Sequence, residues 1–425
     1  MPAPAALAHA DDLADFVAAS PSSFHAAAEV ARRLVAAGFS TLAEDAPWPA
    51  QPGGRFVVVR DGAAIAWRVP EGATPATPVR VFGAHSDSPG FVLKPRPTTG
   101  RFGWLQAGVE IYGGPLLNSW LDRELRLAGR LVLDDGSTVL ADSGPLLRLP
   151  QLAIHLDRSA NEGLTLDRQA HTQPVWGLGE ADSADILAAV AASSGVDPAR
   201  VRGYDLATAD AARGAVFGRD DVFFASGRLD DLASVHAGVV ALAEAPHPTD
   251  HVAMLAVFDH EEVGSATRSG ASGPFLADVL ERVALALGAD RDAHLRALAD
   301  SWCVSSDVGH AVHPNYPEKH DPVVKPRLGS GPILKINANQ RYATDGVGTA
   351  AWHAWCADAG VRSQEFVSNN AVPCGSTIGP LTATRLGIRT VDVGIPILSM
   401  HSARELAGVD DLHALARVAA AYFAG

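Results

Sequence analysis

From Asp230 to its end the sequence alternates between two hydrophobic periods. Helical spacing over residues 231–244, 274–287 and 346–359 is interleaved with short apolar runs at 252–258, 302–306, 362–367 and 389–393, and a last helix is expected from about Val409. The clearest run, 252–258, holds seven consecutive apolar residues. It is too short for a stable helix and is bounded by polar residues, so it reads as a buried strand. Helices alternating with buried strands predict an α/β fold, a sheet covered by helices.

Residues 1–90 share that texture. A helical pattern covers 20–38, strand-like runs at 55–59 and 64–69 flank the hairpin signal Asp61-Gly62, and a short strand is expected at 79–82. Between about 91 and 219 the texture changes. Gly and Pro become frequent, short extended pieces such as 126–133 recur, and helical spacing is confined to 184–193. The 425 residues therefore divide into a discontinuous domain, 1–90 and 220–425, and a β-rich insertion, 91–219.

Charge and composition remove several function classes. A formal charge of −14 opposes binding to nucleic acid or an anionic membrane. No apolar run approaches the roughly 18 residues of a membrane span. The first 31 residues contain no Lys or Arg, which reads against a secretory or organellar leader. Cys303, Cys356 and Cys374 form no C-x-x-C motif and are expected to be reduced thiols of a cytoplasmic protein. Cys374 lacks a His-partner motif and reads as a small buried thiol rather than a nucleophile.

Five segments repeat one layout, an apolar strand followed by a metal-competent side chain. His85 and Asp87 follow 79–82, Asp230 and Asp231 follow 222–224, and Glu261 and Glu262 follow 252–258. Asp307 follows 302–306, and His401 follows 391–398. Each has an ordinary reading when taken singly: a surface histidine, a helix cap, a solvated acidic turn. Together they deliver His, Asp, Glu, Asp and His to the carboxyl ends of strands, where open α/β sheets collect ligands. Two imidazoles and three carboxylates suffice for a pair of Zn²⁺ ions about 3.5–4 Å apart with one carboxylate bridging. His85-x-Asp87 also supplies a carboxylate that can fix the tautomer of the imidazole.

The motifs are specific enough to name a resemblance. Ala84-His-Ser-Asp-Ser-Pro89, Gly227-Arg-Leu-Asp-Asp-Leu232, His260-Glu-Glu-Val-Gly-Ser265, Ser306-Asp307, Lys335-Ile-Asn-Ala-Asn-Gln-Arg-Tyr342, Cys374-Gly-Ser-Thr-Ile-Gly-Pro380 and Met400-His-Ser-Ala-Arg-Glu405 occur in this order. The chain resembles the aspartyl aminopeptidase family, cocatalytic zinc exopeptidases that also include the vacuolar leucyl aminopeptidases. The resemblance implies a mixed sheet flanked by helices, with residues 1–90 and 220–425 as metallopeptidase domain and 91–219 as an inserted dimerisation domain.

It also implies roles. Asp230 is implied as the bridging carboxylate, His85 and Asp307 as the other ligands of one metal, and Glu262 and His401 as those of the second. Glu261 is implied as general base, with Asp87 beside it in the catalytic set. Two Zn²⁺ per chain are implied, with Co²⁺ or Mn²⁺ as replacements. The substrates implied are peptides with a free N-terminus, preferably beginning with Asp or Glu. Lys335 is the implied partner of the substrate carboxylate, with Tyr342 and His310 nearby. His155 is implied to reach a neighbouring subunit's active site within a dodecamer built from dimers. A plain buried strand histidine competes for His155, and a solvated residue flanking an edge strand for Lys335. Apolar (Leu) preference and N-acyl-amino-acid hydrolysis are the enzymatic alternatives, and a binding protein with vestigial metal sites is the non-enzymatic one.

Overall fold

The computed structural model describes residues 1–49 and 52–425. Four strands run parallel and adjacent at the centre of a nine-stranded mixed sheet, in the order Val252–Phe258, Val79–His85, Trp302–Ser306, Arg389–Gly394. The hairpin Arg55–Arg60 and Ala63–Arg68 extends one side, and Ile333–Lys335 with Gln364–Phe366 the other.

The run Val252–Phe258 shows why this sheet is buried on both faces. Ala253, Leu255 and Val257 pack into one layer with Leu13, Leu34, Leu232 and Leu415. Val252, Met254, Ala256 and Phe258 pack into the other with Phe275, Leu276 and Ile378. Successive side chains of a strand point to opposite faces, so a strand between two apolar layers is apolar throughout. The first layer is built by helices Pro4–Ala19, Ser23–Ala36, Leu229–Glu244, Gly346–Asp358 and Val409–Ala424, and the second by Phe275–Ala286 and Ile378–Leu386.

Several local readings differ from the structure. Helix Pro4–Ala19 lies outside the helices expected from the sequence: three of its seven buried positions are Ala6, Ala10 and Ala14 and a fourth is His9, which blurs its apolar period. Arg291–Ala299 and Ile378–Leu386 were likewise not expected. The last begins inside the Gly-rich segment 375–379, where Thr377 caps it by accepting the Gly379 N–H. The strand expected over 391–398 breaks at Ile395 into Arg389–Gly394 and Pro396–Leu398, which belong to different sheets.

Six strands between Gly90 and Asp210 close into a barrel, in the order Val201–Asp210, Gly90–Arg101, Trp104–Tyr112, Val175–Leu178, Thr138–Arg148, Glu124–Leu133. Phe91, Leu125, Leu127, Leu131 and Leu206 share its apolar core with Ile186 and Val190 of the helix Ile186–Ser193. At Gly129 an added Cβ would lie 1.8 Å from the Asp205 carbonyl oxygen, so only glycine lets those two strands approach. A third sheet of five strands joins Phe223–Ser226 to Glu405–Gly408 and Pro396–Leu398. It thereby draws the chain before Asp230 and the chain after His401 together.

Candidate metal centre

The parallel strands end in register. Phe258 pairs with His85, and Ser306 with Val393, so the residues just beyond them emerge at one edge. His85 is the last residue of its strand, and Asp307 is the first after Trp302–Ser306. Beyond Phe258 the chain turns at His260, whose φ of 63° is left-handed, into the short helical turn Glu261–Val263. That turn aims two backbone N–H groups at one carboxylate: Glu261 donates to Asp87 Oδ1 at 3.0 Å and Glu262 to Asp87 Oδ2 at 3.1 Å. Asp230 lies at the start of helix Leu229–Glu244, and His401 follows Pro396–Leu398.

These residues form two donor sets. His85, Asp230 and Asp307 have ligand atoms within 4.8 Å of one another, and so do Asp230, Glu262 and His401. Asp230 belongs to both. His85 Nε2 lies 3.1 Å from Asp230 Oδ1 and 3.8 Å from Asp307 Oδ1. His401 Nε2 lies 3.4 Å from Asp230 Oδ2 and 3.3 Å from Glu262 Oε2.

The histidine tautomers follow from their other nitrogens. His85 Nδ1 is 3.0 Å from the Asp87 carbonyl oxygen, and His401 Nδ1 is 3.0 Å from that of Gly114. A carbonyl oxygen only accepts, so each Nδ1 carries the hydrogen and each Nε2 turns a lone pair toward carboxylates. Acceptors then face acceptors across both sets, and Glu262 Oε1 is buried with no hydrogen-bond partner among the described residues. Cations between them resolve that arrangement, and imidazole nitrogen with carboxylate oxygen is a donor set that suits zinc.

Without a cation the same crowding is met by protons. Burial opposes charge on His85, but hydrogen bonds to Asp230, Asp307 and Asp87 outweigh it and hold its pKa well above 6.5. Burial likewise opposes charge on His401, and the bond to Asp230 raises it to about 9. Burial, then the charge of Asp230, pushes Glu262 well above the carboxylate range. Burial also raises Glu261 to about 7, with Asp307, Asp230 and Asp87 adding to the shift. A carboxylate near neutrality in such a site is suited to accept and return a proton.

A cavity of about 330 Å³ opens onto both sets. Its wall includes Glu261, His310, Lys335, Tyr342, Phe366 and Met400. Lys335 does flank the edge strand Gln364–Phe366, on a strand between it and Arg389–Gly394, but it is buried rather than solvated. Its Nζ donates to the Val308 carbonyl at 2.8 Å and lies 3.4 Å from Asp307 Oδ2. His155 stands apart from this cavity. It is exposed in a turn beyond Thr138–Arg148, neither in a strand nor buried, among the exposed apolar residues Leu152, Ile154 and Leu156.

Two supporting residues carried no legible role in the sequence. Tyr112, on barrel strand Trp104–Tyr112, donates its hydroxyl to Asp87 Oδ2 at 2.7 Å. No sequence signal marks it, because the contact exists only once the barrel docks on the sheet. Glu405 is fully buried beneath the metal centre, and its carboxylate accepts the His401 N–H at 2.7 Å and the Asp230 N–H at 3.0 Å. Its spacing of four residues from His401 was the available clue.

Comparison with known proteins identifies close relatives. The sequence model of the family described as "Aminopeptidase I zinc metalloprotease (M18)" matches residues 16–423. A protein named "Probable M18 family aminopeptidase 2" from Streptomyces avermitilis is 55% identical over 423 residues, covering 98% of each chain. Among solved structures, a chain in the cryo-EM structure of the Ape4 and Nbr1 complex is 34% identical with a TM-score of 0.94, covering 99% of this chain and 86% of that one. The mApe1 dodecamer of S. cerevisiae is 28% identical with a TM-score of 0.84, covering 97% and 96%.

Proposed function

This chain belongs to the aminopeptidase I zinc metalloprotease (M18) family, and from that premise we propose that it is a dinuclear zinc aminopeptidase removing N-terminal residues, preferably Asp or Glu, from peptides. The observation that carries the reading is the sharing of Asp230 between two donor sets, one with His85 and Asp307 and the other with Glu262 and His401. The zinc of the family fits both sets, and Co²⁺ or Mn²⁺ would serve as replacements.

When bound, the ions supply Lewis acidity toward the scissile carbonyl and make a water easier to deprotonate. The protein's own groups do the rest. Glu261, in the cavity wall beside both donor sets, takes the proton from the attacking water and returns it to the leaving amine. Asp87 acts as a positioning residue, holding the Glu261–Glu262 turn by its backbone. Tyr112 in turn holds Asp87.

Preference for an acidic first residue rests on Lys335, the buried cation in the wall of the cavity, with Tyr342 beside it at 5.5 Å from ring centre to Nζ and His310 in the same wall. Phe366 and Met400 give the same cavity apolar surface, which supports a Leu preference as the second reading. The barrel would serve as the dimerisation unit of a homo-oligomer. The exposed apolar residues around His155 support its insertion into a neighbouring subunit, and the mApe1 relative is a dodecamer. No helix among the described residues is long and apolar enough to cross a membrane. The free thiols of Cys303, Cys356 and Cys374 support a cytoplasmic location.

The reading is tested by kcat/KM on Asp-, Glu-, Leu- and Lys-anilides and on N-acetyl-Asp-anilide, with wild type and Lys335→Ala. Acidic substrates should lead in wild type and lose that lead in the variant. Leu in first place would select the second reading, and cleavage of the N-acetyl substrate would point to an amidohydrolase instead.

A further inference from the structure

A second cavity, of about 310 Å³, lies between the barrel, the helix Ser23–Ala36 and the central sheet. Ser86, Asp87 and Ser88 form part of its wall, so it sits behind the metal centre rather than in front of it. Most of the lining is apolar, including Phe24, Val92, Leu206 and Ala207.

Asp87 is satisfied by the Glu261 and Glu262 N–H groups and the Tyr112 hydroxyl, and the other charged residues fall into two groups. Those contributed by Asp61, Arg130, Asp205 and Arg268 neutralise one another: Arg130 pairs with Asp61 at 2.8 Å and Asp205 at 2.7 Å, and Arg268 pairs with Asp61 at 2.6 Å. Arg228 and Asp259 are left over. Arg228 has no carboxylate within ion-pair distance among the described residues. Its Nη2 donates to the Val17 carbonyl at 3.0 Å, and its Nε is buried without an acceptor among those residues. Trp120 Nε1, also in the wall, is a second buried donor without a partner among the described residues. Asp259 is 1% exposed; its Oδ1 accepts the His260 N–H, and its Oδ2, 3.5 Å from His260 Nδ1, accepts no hydrogen bond among the described residues.

Buried polar groups are normally paired, and a buried charge without a counter-charge is costly. Among the described residues, one cavity therefore carries a cation without a carboxylate partner, a spare N–H donor and a carboxylate oxygen that accepts no hydrogen bond, around an apolar interior. From this arrangement we propose that the cavity binds an apolar α-amino acid. The ligand's carboxylate meets Arg228 and Trp120, its ammonium meets Asp259, and its side chain fills the space beside Phe24 and Val92. The site is separate from the metal centre, and the argument for it does not depend on which substrate is hydrolysed.

The test is a fluorine NMR titration of para-fluoro-L-phenylalanine into the zinc-loaded full-length protein. Saturable binding is expected, weakened about tenfold or more in Arg228→Met and when the probe is replaced by para-fluorophenethylamine or para-fluorophenylpropanoate, which lack the carboxylate and the amine respectively. Arg228 is close in sequence to Asp230, so the decisive variant is Ala207→Trp, which fills the cavity from the barrel side. It should abolish this binding while leaving hydrolysis unchanged. A binding isotherm identical in Ala207→Trp and wild type would place the ligand elsewhere, at the metal centre for example, and overturn the proposal. Equal affinity for either truncated probe, or no saturable binding by wild type, would do the same.

Discussion

Glu405 accepts the backbone N–H of Asp230 at 3.0 Å through one carboxylate oxygen, across 175 residues of sequence. Its other oxygen accepts the N–H of His401 at 2.7 Å. One buried side chain thus sets the position of the shared carboxylate and of a histidine from the second donor set.

Replacing Glu405 by Gln should therefore disturb both. An amide offers a donor where one of the two N–H groups needs an acceptor, and removal of such supporting contacts typically weakens metal binding about 10–100-fold. Competition between Glu405→Gln and a zinc chelator measures this directly. Wild-type affinity in the variant would mean that the contact is incidental.

Tyr112→Phe is a milder perturbation. The hydroxyl holds Asp87, which in turn holds the N–H groups of Glu261 and Glu262. A hydrogen bond to a charged group contributes about 1.5–3 kcal/mol, so kcat/KM should fall on the order of tenfold or more with zinc content unchanged. Equal kcat/KM in Tyr112→Phe and wild type would remove the barrel from the catalytic account.

Zinc loading should depend on pH in a definite direction. His401, raised to about 9, and Glu262, raised well above the carboxylate range, hold protons in the metal-free site near neutrality, and ligands must be deprotonated to bind metal. Apparent zinc affinity should therefore rise from pH 6 to 8, by about tenfold per pH unit for each proton displaced. Calorimetry in buffers of different ionisation enthalpy should register net proton release, and a pH-independent affinity would contradict the protonated metal-free site.

Acid sensitivity should have a second source, remote from the metal. Burial lowers His9 to about 3, with His236 and His413 adding to the shift, and burial lowers His25 to about 4. Below pH 6.5 the unfolded chain binds protons that the folded chain refuses, so these groups reduce stability as pH falls from about 6.5 toward 4. His9→Phe should flatten the fall in urea midpoint between pH 7 and 5. A variant that loses stability with the wild-type slope would show that His9 is not a source.

Much of the centre was legible because each functional side chain directly follows a run whose apolarity reports burial. His85 after 79–82, Glu261 and Glu262 after Val252–Phe258 and Asp307 after Trp302–Ser306 are of this kind. What local pattern could not carry was contact between distant segments. Tyr112 reaches Asp87 from a barrel whose closure no single strand announces. Lys335 was ambiguous because Ile333–Lys335 is short, and its burial comes from the flanking strands and from Val308 and Asp307. Pro4–Ala19 is hard to read because Ala6, His9, Ala10 and Ala14 dilute the apolar stripe that Leu13, Phe16 and Val17 mark.

The central claim is that Glu261 moves the proton while its neighbour Glu262 helps to hold metal. Glu261→Gln, assayed for zinc content and turnover on the same sample, separates the two roles. Two zinc ions per chain are expected, with kcat lowered by about 10²–10⁴-fold as for loss of a general base. Turnover close to wild type in a fully metal-loaded variant would contradict it.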